Sequence, residues 1–160
     1  MVTDKQPHNF MAIGVVNSVL PNAKIIHCRR NLIDTSLSIF MTPFRVGPEF
    51  GYSRENIVFF AKQYRELMSH WRSTLPPDRF HEVRYEDLVE NQEQVVRGML
   101  DFLELPWDEA CLHHETNRRS VSTPSLWQVR QPIYRTSLAR WKRYEPWLGP
   151  FKELIEEEIQ

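Results

Sequence analysis

The fold class this sequence predicts is α/β, with a short parallel sheet flanked by helices, and three observations carry that prediction. Ile25 and Ile26 begin a brief apolar, β-branched run that leads through Cys28 into Arg29 and Arg30, the pattern of a short buried strand. Residues 31–41 then take up a helical period directly behind it. Phe80-His-Glu-Val-Arg-Tyr85 is a second alternating run, bounded by Pro77-Asp78 and by Glu86-Asp87.

The remaining elements follow in order. Residues 9–20 predict a helix with Phe10, Ile13, Val16 or Asn17, and Leu20 along one face, ended by Pro21-Asn22. The first strand spans 23–29. The helix over 31–41 starts at Asn31, a good N-cap, with Asp34 placed like the second half of a capping box and Leu32, Ser36, Leu37 and Phe40 turned inward. Pro43, Gly47, Pro48 and Gly51 mark a loop long enough to border a site.

Ser53 starts the most regular helix, in which Ile57, Phe60, Ala61, Tyr64, Leu67, Met68, Trp71 and Leu75 recur until Pro76-Pro77. That stripe reads as core without chemistry. Residues 93–103 form a helix stopped by Pro106, and 108–114 a shorter one. Residues 115–135 are irregular and carry Arg118, Arg119, Arg130 and Arg135. Terminal helices over 136–144 and 147–159 are separated by Pro146.

Composition bounds the function. The chain's 160 residues make one domain, and its formal net charge of -1 argues against a nucleic-acid partner or an acidic membrane surface, so any basic site is local. Two cysteines, Cys28 and Cys111, make no disulfide framework. No metal-ligand spacing, signal peptide or membrane-length apolar run is present. The expectation is a soluble, cytoplasmic protein.

The stretch over 24–40 has the form of an anion site. Arg29 and Arg30 fall at a strand's carboxyl end, where ligands bind in open α/β sheets, and a helix start there favours negative charge. Ser38 lies about 10 Å along the helix from Asn31. A phosphate touched by Arg30 and Ser38 together therefore lies beside the helix, not at its tip.

Four motifs, the last of them in two segments, resemble the sulfotransferase family. Arg30-Asn-Leu-Ile-Asp-Thr-Ser-Leu-Ser38 is similar to that family's 3′-phosphate motif, and Val83-Arg-Tyr-Glu-Asp-Leu-Val89 resembles the strand carrying its adenine-contacting tyrosine. Asp4-Lys-Gln-Pro7 looks like the Lys-x-Pro segment near the transferring sulfonate. Thr123-Pro-Ser-Leu-Trp-Gln-Val-Arg-Gln-Pro-Ile-Tyr134 and Ser137-Leu-Ala-Arg-Trp-Lys-Arg-Tyr144 resemble the C-terminal part of bacterial sulfotransferases often found behind tetratricopeptide repeats, distantly similar to tyrosylprotein sulfotransferases.

The resemblance implies a P-loop NTPase-like three-layer sandwich. It also implies 3′-phosphoadenosine 5′-phosphosulfate as donor, 3′-phosphoadenosine 5′-phosphate as product, and a hydroxyl acceptor on a protein tyrosine, a carbohydrate or a small molecule. By motif position Arg30 and Ser38 hold the 3′-phosphate, Tyr85 contacts the adenine, and Arg140, with Arg130 as a looser candidate, adds positive charge. Lys5 and Ser125 face the sulfonate.

One departure qualifies the resemblance. The family's fold begins with a strand and a Gly-, Ser- and Thr-rich loop that cradles the 5′-phosphosulfate, with the usual acidic base between that loop and the Lys-x-Pro segment. Here the five glycines form no cluster. The expectation is an N-terminally incomplete fold, inactive or weakened as an isolated chain. The alternative is a non-catalytic nucleotide- or partner-binding remnant, forming a homo-oligomer through an open sheet edge.

Overall fold

The two apolar runs form the sheet. β1 (Ile25–Arg29) and β2 (Phe80–Arg84) pair in parallel, in a register that runs from Ile25 opposite Phe80 to Arg29 opposite Arg84. The computed structural model describes residues 2–44, 47–117 and 128–156. Around the sheet stand α1 (Ile13–Val19), α2 (Leu32–Met41), α3 (Arg54–Thr74), α4 (Tyr85–Glu90), α5 (Gln92–Leu103) and α6 (Glu153–Glu156), linked by turns of 3-10 helix.

Alternation along the strands sorts the layers. His27 and Glu82, opposite one another, face α3 and bond its Tyr64 and Arg72. His81, of the other parity, stacks on Phe102 of α5 with ring centroids 5.1 Å apart. Helices thus cover both faces of the sheet, as the fold class requires. The crossover from β1 to β2 runs through α2 and α3, the kind of connection a parallel pair needs.

α3 starts where Ser53 accepts a hydrogen bond from the Asn56 amide at 3.3 Å, and it ends before Pro76-Pro77, which hold the preceding residue extended. Ile57, Ala61 and Met68 of the predicted stripe are buried, as is Leu75 just past the helix end. One core cluster joins α2 and α3 to Leu148, Phe151 and Leu154. A second joins Ile13, Met68 and Leu75 beneath the strand starts, with Phe10, Tyr64 and Trp71 packed against it.

Several expectations are corrected. The helix over 9–20 is a 3-10 turn, Asn9–Ala12, followed by α1, and Leu20 is exposed. On α2 the buried set is Ile33, Asp34, Ser36 and Leu37, while Phe40 is at the surface, because the helix leans on the C-terminal segment as well as on α3. Cys28, read as part of a buried run, is exposed. The C-terminal helices are largely 3-10, and Arg140–Trp147 contains Pro146 instead of stopping at it.

Candidate functional site

The site is built where both strands end. β1 delivers Arg30 and β2 delivers Tyr85, and the Arg30 guanidinium carbon lies 4.9 Å from the centroid of the Tyr85 ring, within the range of a cation–π contact. Tyr85 was expected inside the second strand; it is instead the first residue of α4. That turn into helix aims the ring across the strand ends. Arg29, the neighbouring candidate, is exposed at the strand's last position.

Asn31 caps α2 as expected, its side chain accepting from the Asp34 amide at 3.0 Å. The reciprocal half of the capping box is not supplied by Asp34. Glu86 of α4 accepts from the Asn31 amide at 2.9 Å instead, tying the start of α2 to the residue after Tyr85. Ser38 is half-buried on α2, and its hydroxyl has no hydrogen-bond partner among the described residues.

Arg30 is part-buried. One of its terminal nitrogens donates to the Ser137 carbonyl at 2.6 Å, while its Nε is buried with no partner. A guanidinium with an orphaned N–H suits a multivalent oxyanion, because Arg presents several donors in one plane. Arg140 comes alongside the far end of α2: its guanidinium lies 3.8 Å from the Met41 sulfur and 5.9 Å from the Tyr144 ring centroid.

Of the remaining predicted residues, Lys5 and Arg130 are among the described residues and Ser125 is not. Lys5 is exposed, in a segment braced by the Asn9 side-chain amide donating to Asp4 at 2.6 Å, with the His8 ring leaning on Phe60 of α3. Arg130 donates to the Asn117 carbonyl. Ser125, with Arg118 and Arg119, lies outside the described residues. No group of His, Cys, Asp and Glu able to hold a metal is found among the described residues.

Two features escaped the sequence. Asp34 is a buried carboxylate whose Oδ1 accepts from the Trp141 amide at 2.8 Å, and burial pushes its carboxyl above the usual range, against the pull of that hydrogen bond and of Arg30. Its place among inward-facing apolar residues was the available signal. The second is a hydrogen-bonded chain beneath the sheet that runs from buried His27 out to exposed Arg72. His27 bonds Glu82 through Nδ1 at 2.8 Å and Tyr64 through Nε2, and Arg72 donates to the other Glu82 oxygen at 2.7 Å. Burial lowers the His27 value and raises that of Tyr64 to about 12. A neutral imidazole donating to Glu82 and accepting from Tyr64 satisfies every partner with one tautomer.

A part-buried arginine over a tyrosine at the carboxyl ends of parallel strands, with helices on both faces of the sheet, defines the class as an α/β protein. The chain belongs to the sulfotransferase family, whose model, described as "Sulfotransferase family", matches residues 1–109. An uncharacterized protein from Aquifex aeolicus is 37% identical over 159 residues, covering 98% of this chain and 21% of that protein. A protein-tyrosine sulfotransferase from Drosophila melanogaster is 29% identical over 158 residues, covering 86% of this chain and 29% of its own length.

A solved sulfotransferase domain from the curacin biosynthetic pathway superposes with a TM-score of 0.71 at 21% identity, covering 96% of this chain and 60% of that domain. It shares the P-loop-like fold. The chain therefore spans less than a third of those two curated relatives' lengths, at 21% and 29%.

Proposed function

We propose that this chain carries the donor-binding half of a site that moves a sulfonate from 3′-phosphoadenosine 5′-phosphosulfate to a hydroxyl acceptor. The observation that carries the reading is Arg30 seated over Tyr85 at the strand ends, with an unpartnered Nε and with Ser38 unpaired about two turns along α2. Arg30 and Ser38 hold the 3′-phosphate, Tyr85 meets the adenine, and Arg140, with Arg130 as the looser candidate, adds positive charge. Bound there, the donor supplies an activated sulfonate: the acceptor oxygen bonds to sulfur, the sulfur–oxygen bond to the 5′-phosphate breaks, and the hydroxyl proton passes to a base. Lys5 and Ser125 meet the charge that develops on the sulfonate and the leaving phosphate.

The glycine-poor sequence lacks a cradle for the 5′-phosphosulfate, so the isolated chain binds nucleotide and turns it over weakly or not at all. Its acceptor is a hydroxyl of protein, carbohydrate or small-molecule origin, and a cytoplasmic location belongs to the same proposal. The test is a titration with 3′-phosphoadenosine 5′-phosphate. Stabilisation of the chain that disappears in Arg30→Ala is expected; no thermal shift at millimolar nucleotide would overturn the reading.

A second reading, a partner-binding module, is favoured by one observation. Met11, Val15, Val19 and Leu20, on α1 and at its two ends, are exposed apolar side chains, on a chain in which, among the described residues, β1 pairs only with β2. Such surface invites association. Sedimentation at high concentration checks it, and a strictly monomeric chain would remove it.

A further inference from the structure

Asp34 needs an explanation that the donor grip does not supply. It is 3% exposed on α2, between Ile33 and Ser36, which are also buried. An ionisable group in such a place costs stability unless its bonds repay it. α2 does not need the carboxylate, because the cap contact there uses only the Asp34 amide.

What the carboxylate does is tertiary. Its Oδ1 accepts the Trp141 amide at 2.8 Å, and its Oδ2 lies 3.9 Å from a terminal nitrogen of Arg30 with no hydrogen-bond partner. Arg30 in turn donates to the Ser137 carbonyl at 2.6 Å. The C-terminal segment is thus pinned at two points to the strand end and the first turn of α2. Between the pins Ala139 takes a left-handed conformation with φ of 48°, a bend that a non-glycine residue keeps only when its surroundings enforce it. Arg140 follows immediately, beside Met41.

We propose that Asp34 is a positioning residue: its carboxylate clamps the segment 137–141 so that Arg140 and Arg30 approach one anion beside α2 from two sides. This rests on the reading that Arg30 and Arg140 grip the donor's 3′-phosphate. The raised carboxyl value fits it, since a hydrogen bond from the Trp141 amide is kept whether or not Oδ2 carries a proton. Binding and clamping are then linked, and each must strengthen the other.

The experiment uses the full chain, 3′-phosphoadenosine 5′-phosphate, calorimetry, and hydrogen exchange at the Trp141 amide. Asp34→Asn keeps an oxygen for that amide and alters only the side toward Arg30, where the pair is 3.9 Å apart and no hydrogen bond is made, so affinity within about threefold of the parent and a protected amide are expected. Asp34→Ala is expected to lose about tenfold in affinity and to exchange Trp141 at least about tenfold faster. Adding Arg140→Ala to Asp34→Ala should then cost less than it does in the parent.

Parent-like affinity in a folded Asp34→Ala, equal losses in the two Asp34 variants, or additivity with Arg140→Ala would each overturn the clamp. Should Asp34→Ala not fold, the parent chain decides: nucleotide must slow Trp141 exchange, and binding without that slowing overturns the proposal. A parent chain that binds no nucleotide sinks the donor reading instead. The clamp is then judged by ligand-free exchange in the parent and Asp34→Asn, where a protected Trp141 in both supports it and an unprotected one in either overturns it.

Discussion

The Arg30 guanidinium lies 4.9 Å from the Tyr85 ring centroid, and these residues come from two strands that meet only because β1 and β2 pair in parallel. The contact turns a pair of strand ends into one surface. It holds a cation that elsewhere would sample many rotamers, so part of the ordering cost of gripping an anion is met before the anion arrives.

Replacing Arg30 separates charge from shape. Arg30→Lys keeps the charge but loses the fork, and is expected to bind 3′-phosphoadenosine 5′-phosphate about tenfold more weakly; Arg30→Ala loses on the order of 2–3 kcal/mol. Calorimetry reads both values. Equal affinity in Lys and parent chains would show that the fork is unused.

Tyr85→Phe keeps the ring beneath Arg30 and should leave stability unchanged, while Tyr85→Ala should cost about 1 kcal/mol through the lost cation–π contact. Urea unfolding measures this. An unstable Tyr85→Phe would mean that the hydroxyl, not the ring, matters to the fold.

Ser38→Ala offers a clean separation of binding from folding. The hydroxyl has no partner among the described residues, so stability should stay within about 0.5 kcal/mol of the parent. Nucleotide affinity should fall severalfold. A stability loss without an affinity loss would move Ser38 out of the site.

The helical crossover was legible because α3 has a long period, a serine cap and a double-proline stop, all of them local signals. α2 was legible at its cap and, through Ser36 and Leu37, on part of its inward face; Asp34 was not, since it points in where a backbone amide of Trp141, distant in sequence, donates to it. The same holds for Glu86, which completes the α2 cap from the next strand–helix junction. α4 begins at Tyr85 with no side-chain cap, so nothing local announced it. Of the proposed donor grip, Arg30 and Ser38 stand out in the sequence as residue types at a spacing. Their partners Ser137, Trp141 and Met41 come from contacts that no periodicity encodes.

The hydrogen-bonded chain of Tyr64, His27, Glu82 and Arg72 sets an acid limit. His27 has its folded value lowered from 6.5, chiefly by burial and despite the carboxylate of Glu82. The unfolded chain therefore takes up the proton first: stability is full above about pH 6.5 and falls as pH drops toward the folded value. Glu82, held below its ordinary value by Arg72 and His27 against the opposing effect of burial, extends the loss to lower pH. Asp34, whose value is raised, works the other way. Its contribution is present in acid and is lost as pH rises through its folded value. Denaturant midpoints from pH 7.5 down to pH 5 should decline in the parent, and less steeply in His27→Gln. Parallel curves would clear His27 of any part in the slope.

Phe151 and Leu154 are fully buried against α2 and α3. Phe151→Ala should cost about 3–5 kcal/mol, and it should loosen the neighbouring 137–141 segment along with the fold.

A parallel pair whose members are separated by two helices cannot zip from a turn. β1 must wait for β2 until α2 and α3 have closed a long loop, a slow kind of contact for a chain to make. Arg30 and Tyr85 sit just past the ends of that pair. The strand-end surface that carries the proposed nucleotide grip therefore forms only once that loop has closed. Nucleotide added during refolding should slow unfolding while leaving the folding rate alone.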